Sequence, residues 1–326
     1  MEQIEKDTYH QNKKLMDDWV TYYRAFTSIG KNASYIPALE KADSSHLGIS
    51  IIEPNGTILS SGNCDVTFTL QSISKVISFI VACMHHGISY VLEKVDLEPT
   101  GDPFDSIIRL EMHKPGKPFN PMINAGAITV SSILPGETAQ AKLQSIFTLM
   151  EQILGKPSSY SEEVFVSEWE TANRNRALAY YLKETGFLEI EVDQALEVYL
   201  KQCSIEVTTE DIALIGLVLA HDGFHPIQQV QIMPKEVARL AKSLMLTCGV
   251  YNASGRFAAF VGIPAKTGVS GGIMAAVPPR VRHEECPLMQ GCGIGIYSPA
   301  IDEFGSSVAG VMLLQKMAET WDLSIF

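Results

Sequence analysis

The chain has 326 residues, 46% of them hydrophobic, with a mean hydropathy of +0.09 and a formal charge of −12. This is long enough to bury a sizeable core in one large domain or two joined ones. The acidic balance, without a Lys/Arg stripe, disfavours nucleic acid as a partner, and no uncharged apolar run reaches the ~18 residues of a membrane span.

The opening residues Met1-Glu2-Gln3-Ile4-Glu5-Lys6-Asp7 have neither a basic flank nor an apolar core, so no secretory signal is expected and the expected compartment is the cytoplasm. Six cysteines (Cys64, Cys83, Cys203, Cys248, Cys286 and Cys292) follow no disulfide framework and are expected to be reduced. Cys286 and Cys292, with only His283 nearby, are too widely spaced for a zinc knuckle. No metal and no cofactor are expected.

In chain order, residues 12–29 read as an amphipathic helix with Leu15, Trp19, Tyr22, Tyr23 and Phe26 on one broad face. Residues 46–52 and 57–61 read as strands joined by the turn Glu53-Pro54-Asn55-Gly56, and residues 66–70 as a third strand. An apolar helix then runs from Ser72 to His85-His86-Gly87, where glycine marks the stop and the histidines read as capping or surface groups. Phe104–Leu110 reads as a short helix, residues 114–124 as a structured loop, and Asn124-Ala125-Gly126-Ala127-Ile128 as a helix entered through small residues. Helices are expected over 139–154, 173–184, 192–203, 209–220 and 234–248, with Thr208-Thr209-Glu210-Asp211 as an N-cap. Beyond Cys248, the runs 257–261, 271–277, 291–297 and 307–314 read as strands, and 313–321 as a closing helix. Strands at both ends and helices between predict an α/β fold, an antiparallel sheet flanked by helices with an inserted helical lobe. The division is 1–74 plus 249–326 for the sheet-bearing part and 75–248 for the mostly helical part.

The stretch with the most chemical content is Gln71-Ser72-Ile73-Ser74-Lys75. On a helix start, Ser72 and Lys75 share a face, and a lysine kept from full protonation can take the serine's proton. Free N–H groups at the same helix end could serve a developing oxyanion. A serine cap followed by a solvated lysine would give the same four letters. A second element, Lys266-Thr267-Gly268 before Val269-Ser270-Gly271-Gly272, resembles the third motif of serine β-lactamases and penicillin-binding proteins, and the two motifs fall in the matching order.

With Pro121-Met122-Ile123-Asn124-Ala125-Gly126-Ala127, Asn175-Arg176-Ala177 and Tyr199-Leu200-Lys201-Gln202-Cys203-Ser204 added, the chain resembles the serine-dependent glutaminase family from Tyr35 to its last helix. The resemblance implies a β-lactamase/transpeptidase-like fold and hydrolysis of L-glutamine to glutamate and ammonia. It implies Ser72 as nucleophile and Lys75 as its proton acceptor, with Tyr199 and Tyr251 in a proton relay. The backbone N–H groups of Ser72 and Val269 would form the oxyanion hole. Glu168 would hold the substrate's amino group; Tyr35, Asn124, Asn175 and Tyr251 would hold its carboxylate and amide. A homodimer or homotetramer is implied as well.

Local readings stand beside these roles. Glu168 sits in what reads as a helix start, Asn124 and Asn175 could be caps, Tyr199 a core phenol, Tyr251 a turn residue, and Lys266 the partner of an acidic neighbour. Glu168 and Asn175 would share a face if their helix were continuous. Asn124 is preferred over Asn120 because the small residues after it allow close approach. The segment 279–291 is longer than the family's usual hairpin. Other serine acyl-transfer chemistry of the β-lactamase/penicillin-binding class is disfavoured by the missing Ser-Asp-Asn, and a non-catalytic amino-acid binding protein would have no need of Ser72 and Lys75.

Overall fold

The computed structural model describes residues 2–112, 116–280 and 286–326, with side chains from residue 9 onward. Arg282, His283, Glu284 and Glu285 of the 279–291 segment therefore lie outside the described residues, as do residues 114 and 115 of the expected loop.

Among the described residues nine strands form three sheets: β1 (Gly48–Ile52), β2 (Ile58–Gly62), β3 (Phe68–Thr69), β4 (Glu206–Val207), β5 (Phe224–His225), β6 (Val230–Gln231), β7 (Ala265–Thr267), β8 (Gly272–Val277) and β9 (Cys292–Tyr297). The principal sheet is fully antiparallel in the order β2-β1-β9-β8-β7, so strands from both chain ends meet at the β1–β9 pair. Its alternation decides what covers each face. Ile49, Ile51, Ile294 and Ile296 point into a core shared with Trp19 of the N-terminal helix and Leu313 and Trp321 near the chain end. On the opposite face the alternate positions of β9 are Gly293 and Gly295. A Cβ there would lie 1.8 Å from Ala213 O and 2.0 Å from Thr209 O, so only glycine lets the helix Thr209–Ala220 rest directly on the sheet. That helix starts at a capping box between Thr208 and Asp211, as its sequence predicts.

The helices Ala139–Leu154, Asn173–Glu184, Val192–Cys203 and Thr209–Ala220 run over the expected residues. Several other expectations are corrected. The run 66–70 is a strand only at Phe68–Thr69, and it pairs with β4 outside the principal sheet. Residues 257–261 and 307–314, expected as strands, belong to the helices Ser254–Phe260 and Val308–Thr320. Both are short apolar runs, whose period cannot be read over so few residues. The helix expected from residue 104 is confined to Ile108–Met112. The first helix runs Glu2–Arg24 and ends in a 3₁₀ turn at Ala25–Ile29.

The central helix, Ser74–His86, is buried all round from Ser74 to Cys83. Such a helix is held by packing on every side and cannot shift without opening the core. It ends at Gly87, whose φ of +82° suits glycine, and His86 Nε2 meets the Ile133 carbonyl at 2.7 Å. Among the described residues no helix is long and apolar enough to cross a membrane.

Candidate active site

Ser72 does not open the α-helix; it sits in a 3₁₀ turn, Gln71–Ile73, that leads into it. The turn follows β3, and Gln71 is forced to a φ of +48°, a left-handed conformation that non-glycine residues avoid. The geometry places Ser72 one turn before Lys75. The amine of Lys75 lies 2.9 Å from Ser72 Oγ and 2.7 Å from Asn124 Oδ1, and no part of the side chain reaches solvent. Burial lowers its pKa to about 8, against smaller opposing pulls from Cys203, Glu168 and Asp105. A solvated surface lysine is thereby excluded.

Asn124 is the first residue of the helix Asn124–Ser132, and the close approach inferred from its small neighbours is real. A Cβ on Gly126 would stand 2.0 Å from Asn120 O. Asn124 also donates to Asn175 Oδ1 at 2.9 Å, so a chain of polar contacts runs Ser72–Lys75–Asn124–Asn175. Asn120, the rejected alternative, spends its amide on Glu98 O and the N–H groups of Met122 and Ile123. Its work is to shape the loop.

Glu168 lies in the second half of the helix Glu162–Thr171, and the reading of it as a helix-start glutamate is corrected. Nor do Glu168 and Asn175 share one continuous helix: it breaks at Ala172, and Asn175 belongs to Asn173–Glu184. The break still leaves both residues lining one cleft of about 290 Å³, together with Tyr35, Phe104, Asp105, Asn124 and Arg174. Glu168 is buried, and burial raises its pKa to about 7, opposed by the Gln71 hydrogen bond and by Lys75. The Gln71 amide reaches Glu168 Oε1 at 2.5 Å. Nothing in the sequence pairs these two residues, which is why the role of Gln71 was missed. Phe104, Asp105 and Arg174 were missed too; they come from a loop and a helix start without pattern.

Tyr35 leaves 53% of its surface exposed, yet its phenol faces Tyr251, Glu168 and Asp105, and desolvation raises its pKa. Tyr199 is buried 5.8 Å beneath the Lys75 amine, measured to the ring centroid, and desolvation raises its pKa as well. Tyr251 is more than a turn residue. It is buried with a φ of +52°, its ring 4.8 Å from that of Phe104, and its hydroxyl donates to Thr267 O at 3.1 Å; burial raises its pKa, and Ser72 lies near enough to pull against that rise.

Lys266 and Thr267 lie on the edge strand β7, and Gly268 follows. A Cβ on Gly268 would come 2.6 Å from Leu70 O and 3.5 Å from Ser72 N, so glycine brings this edge against the serine turn. The turn Gly268–Gly271 is closed by a 2.9 Å hydrogen bond and tied to β3 through Ser270 Oγ and Thr69 O at 2.7 Å. It presents buried Val269, whose N–H makes no hydrogen bond among the described residues. Among these residues no group of three His, Cys, Asp or Glu side chains is placed to hold a metal ion.

The glutaminase family model matches residues 30–326. The chain is 67% identical over 311 residues to Glutaminase 1 of Bacillus subtilis, covering 95% of each, and 65% identical over 316 residues to Glutaminase 2 of Bacillus cereus, covering 97% of each. Its structure is similar to a probable glutaminase of Bacillus subtilis at a TM-score of 0.92 with 64% identity, over 97% of this chain and 98% of that one. It is also similar to the covalent complex between a Bacillus subtilis glutaminase and 5-oxo-L-norleucine, formed by reaction with 6-diazo-5-oxo-L-norleucine. There the TM-score is 0.89 and the identity 61%, over 97% of this chain and all of that one. A match that spans the fold and almost the full sequence places this chain in the glutaminase family.

Proposed function

We propose that the protein hydrolyses L-glutamine to L-glutamate and ammonia through a serine acyl-enzyme. The observation that carries the reading is the buried pair Ser72–Lys75, with 2.9 Å between hydroxyl and amine and the lysine pKa lowered to about 8. Ser72 Oγ attacks the side-chain carboxamide carbon while its proton passes to Lys75 Nζ. The negative oxygen is held by the N–H groups of Ser72 and Val269, each such donor contributing about 3 kcal/mol in a dry site. The nitrogen leaves as ammonia once a proton reaches it from the Lys75 ammonium, with Tyr251 and Tyr199 as the relay. Water then attacks the ester, its proton returns to Ser72, and glutamate departs.

Glu168 pairs with the substrate's ammonium. Tyr35, Asn124, Asn175 and Tyr251 hold the carboxylate and the amide. The β-lactamase/transpeptidase-like reading of the fold belongs to the same proposal. It is supported by the antiparallel sheet built from both chain ends, Ser-x-x-Lys leading into a buried helix, and Lys-Thr-Gly at an edge strand. So does the division into 1–74 plus 249–326 and 75–248, with the helix Thr209–Ala220 joining the second part to the sheet. A homodimer or homotetramer is carried over from the family, and light scattering on the purified protein decides the assembly.

The direct test is ammonia release from L-glutamine, with mass spectrometry after exposure to 6-diazo-5-oxo-L-norleucine. The wild type should turn over and gain one adduct on Ser72. The Ser72→Ala protein should do neither and keep its fold by circular dichroism. Normal turnover by that variant would sink the reading.

A further inference from the structure

Next to the proposed catalytic groups lies a buried amine that the chemistry leaves unused. Lys266 is fully buried on β7. Its Nζ lies 2.7 Å from the Thr267 carbonyl oxygen and 4.1 Å from the centroid of the Tyr251 ring. That carbonyl also accepts the Tyr251 hydroxyl at 3.1 Å, so one oxygen gathers the amine and the phenol. The titratable groups that act on Lys266 are Lys75 from the central helix, Cys248 from Lys235–Cys248 and Cys203 from Val192–Cys203; no carboxylate is among them. Among the described residues no carboxylate pairs with it, so the local reading of Lys266 as the partner of an acidic neighbour is not met. An ammonium buried beside a second amine without a counter-ion is strongly disfavoured. Burial first, and Lys75 second, push its pKa well down.

Tyr251 needs support of this kind. Its φ of +52° is a strained conformation that persists only where the surroundings over-determine it. The backbone is fixed by Ser254, whose Oγ donates to Tyr251 O at 2.8 Å and accepts from Val250 N at 3.0 Å. The side chain is held by the tilted ring of Phe104 and by the amine. We propose that Lys266 is a positioning residue for Tyr251, its amine lodged against the phenol ring and bonded to Thr267 O so that the Tyr251 hydroxyl stays aimed at Ser72. The proposal rests on the glutaminase reading for its kinetic consequence. Its geometry stands apart from that reading.

The test is a double-mutant cycle on Lys266→Met and Tyr251→Phe, read as kcat/KM for L-glutamine. Methionine keeps the unbranched stem and removes the N–H groups. Lys266→Met should lose about 10- to 100-fold in the wild-type background and less than about twofold in the Tyr251→Phe background. Wild-type rates in the single variant, or full additivity in the double one, overturns the proposal. If Lys266→Met does not fold, Lys266→Leu, which likewise has no donor for Thr267 O, enters the same cycle under the same criteria. Should the wild type release no ammonia, the functional reading falls. A crystal structure of the Lys266→Met protein then decides: displacement of the Tyr251 hydroxyl from Thr267 O supports the positioning role, and an unmoved hydroxyl overturns it.

Discussion

Lowering the pH from about 9 to about 6 titrates two groups that the proposed reaction needs in fixed states, Lys75 as a free amine and Glu168 as a carboxylate. Burial brings the Lys75 pKa to about 8 and that of Glu168 to about 7. About nine in ten Lys75 side chains are then neutral at pH 9 and about one in ten at pH 7, so kcat/KM should fall roughly tenfold over that interval from this group alone. Glu168 adds about a factor of two at pH 7, and below pH 6 the limb should steepen toward two protons. Because the two charges attract, the observed pKa values belong to the pair. Glu168→Gln should remove the lower step. With the neighbouring anion gone the Lys75 ammonium loses a stabilising charge, so the remaining step should move to lower pH. The lost ion pair should raise KM by roughly 10- to 150-fold, the equivalent of about 1.5–3 kcal/mol.

The stability signs can be separated from the activity. The raised Glu168 pKa removes stability as pH climbs from 4.5 to about 7, because the unfolded carboxyl ionises first. The lowered Lys75 pKa costs stability below about 8, and that cost is relieved as pH rises from about 8 to 10.5. Acidification from about pH 7 thus reduces activity without loss of stability through either group. Initial rates of glutamate and ammonia formation at constant ionic strength, with a thermal midpoint at each pH, make the measurement. A flat profile between about pH 6 and 9, or a Glu168→Gln protein with both steps intact, would refute the reasoning.

Two other outcomes follow from the same geometry. Gly268→Ala would set a Cβ 2.6 Å from Leu70 O, backbone against backbone, so β7 must move away from the serine turn. With Val269 displaced, kcat should drop by about 10²–10³, the loss typical of one oxyanion donor, and a fully active variant would count against Val269. L-Asparagine, shorter by one methylene, leaves its carboxamide about 1.5 Å short of the position for attack when Glu168 holds the amino end. Its kcat/KM in the ammonia assay should lie far below that of L-glutamine, and parity would contradict the role of Glu168.

Much of the architecture was legible because its signals are local. The helices at 139–154, 173–184, 192–203 and 209–220 carry a period over three or more turns, and Thr208 with Asp211 marks one start within four residues. Ser72, Lys75 and the Lys-Thr-Gly strand were legible as spacing and order. The runs at 257–261 and 307–314 were misread because a short, uniformly apolar segment fits a strand as well as a helix. Packing against the rest of the chain chooses between them.

The sequence by itself determined which atoms are available: a hydroxyl and an amine one turn apart, glycines where two backbones must touch, and a capped helix to cover the sheet. Only the tertiary structure decided their chemical state. Lys75 and Glu168 reach their shifted pKa values because both are buried, and Gln71 meets Glu168 from far along the chain. Desolvation and long-range contact are properties of the assembled fold, and no window of sequence contains them.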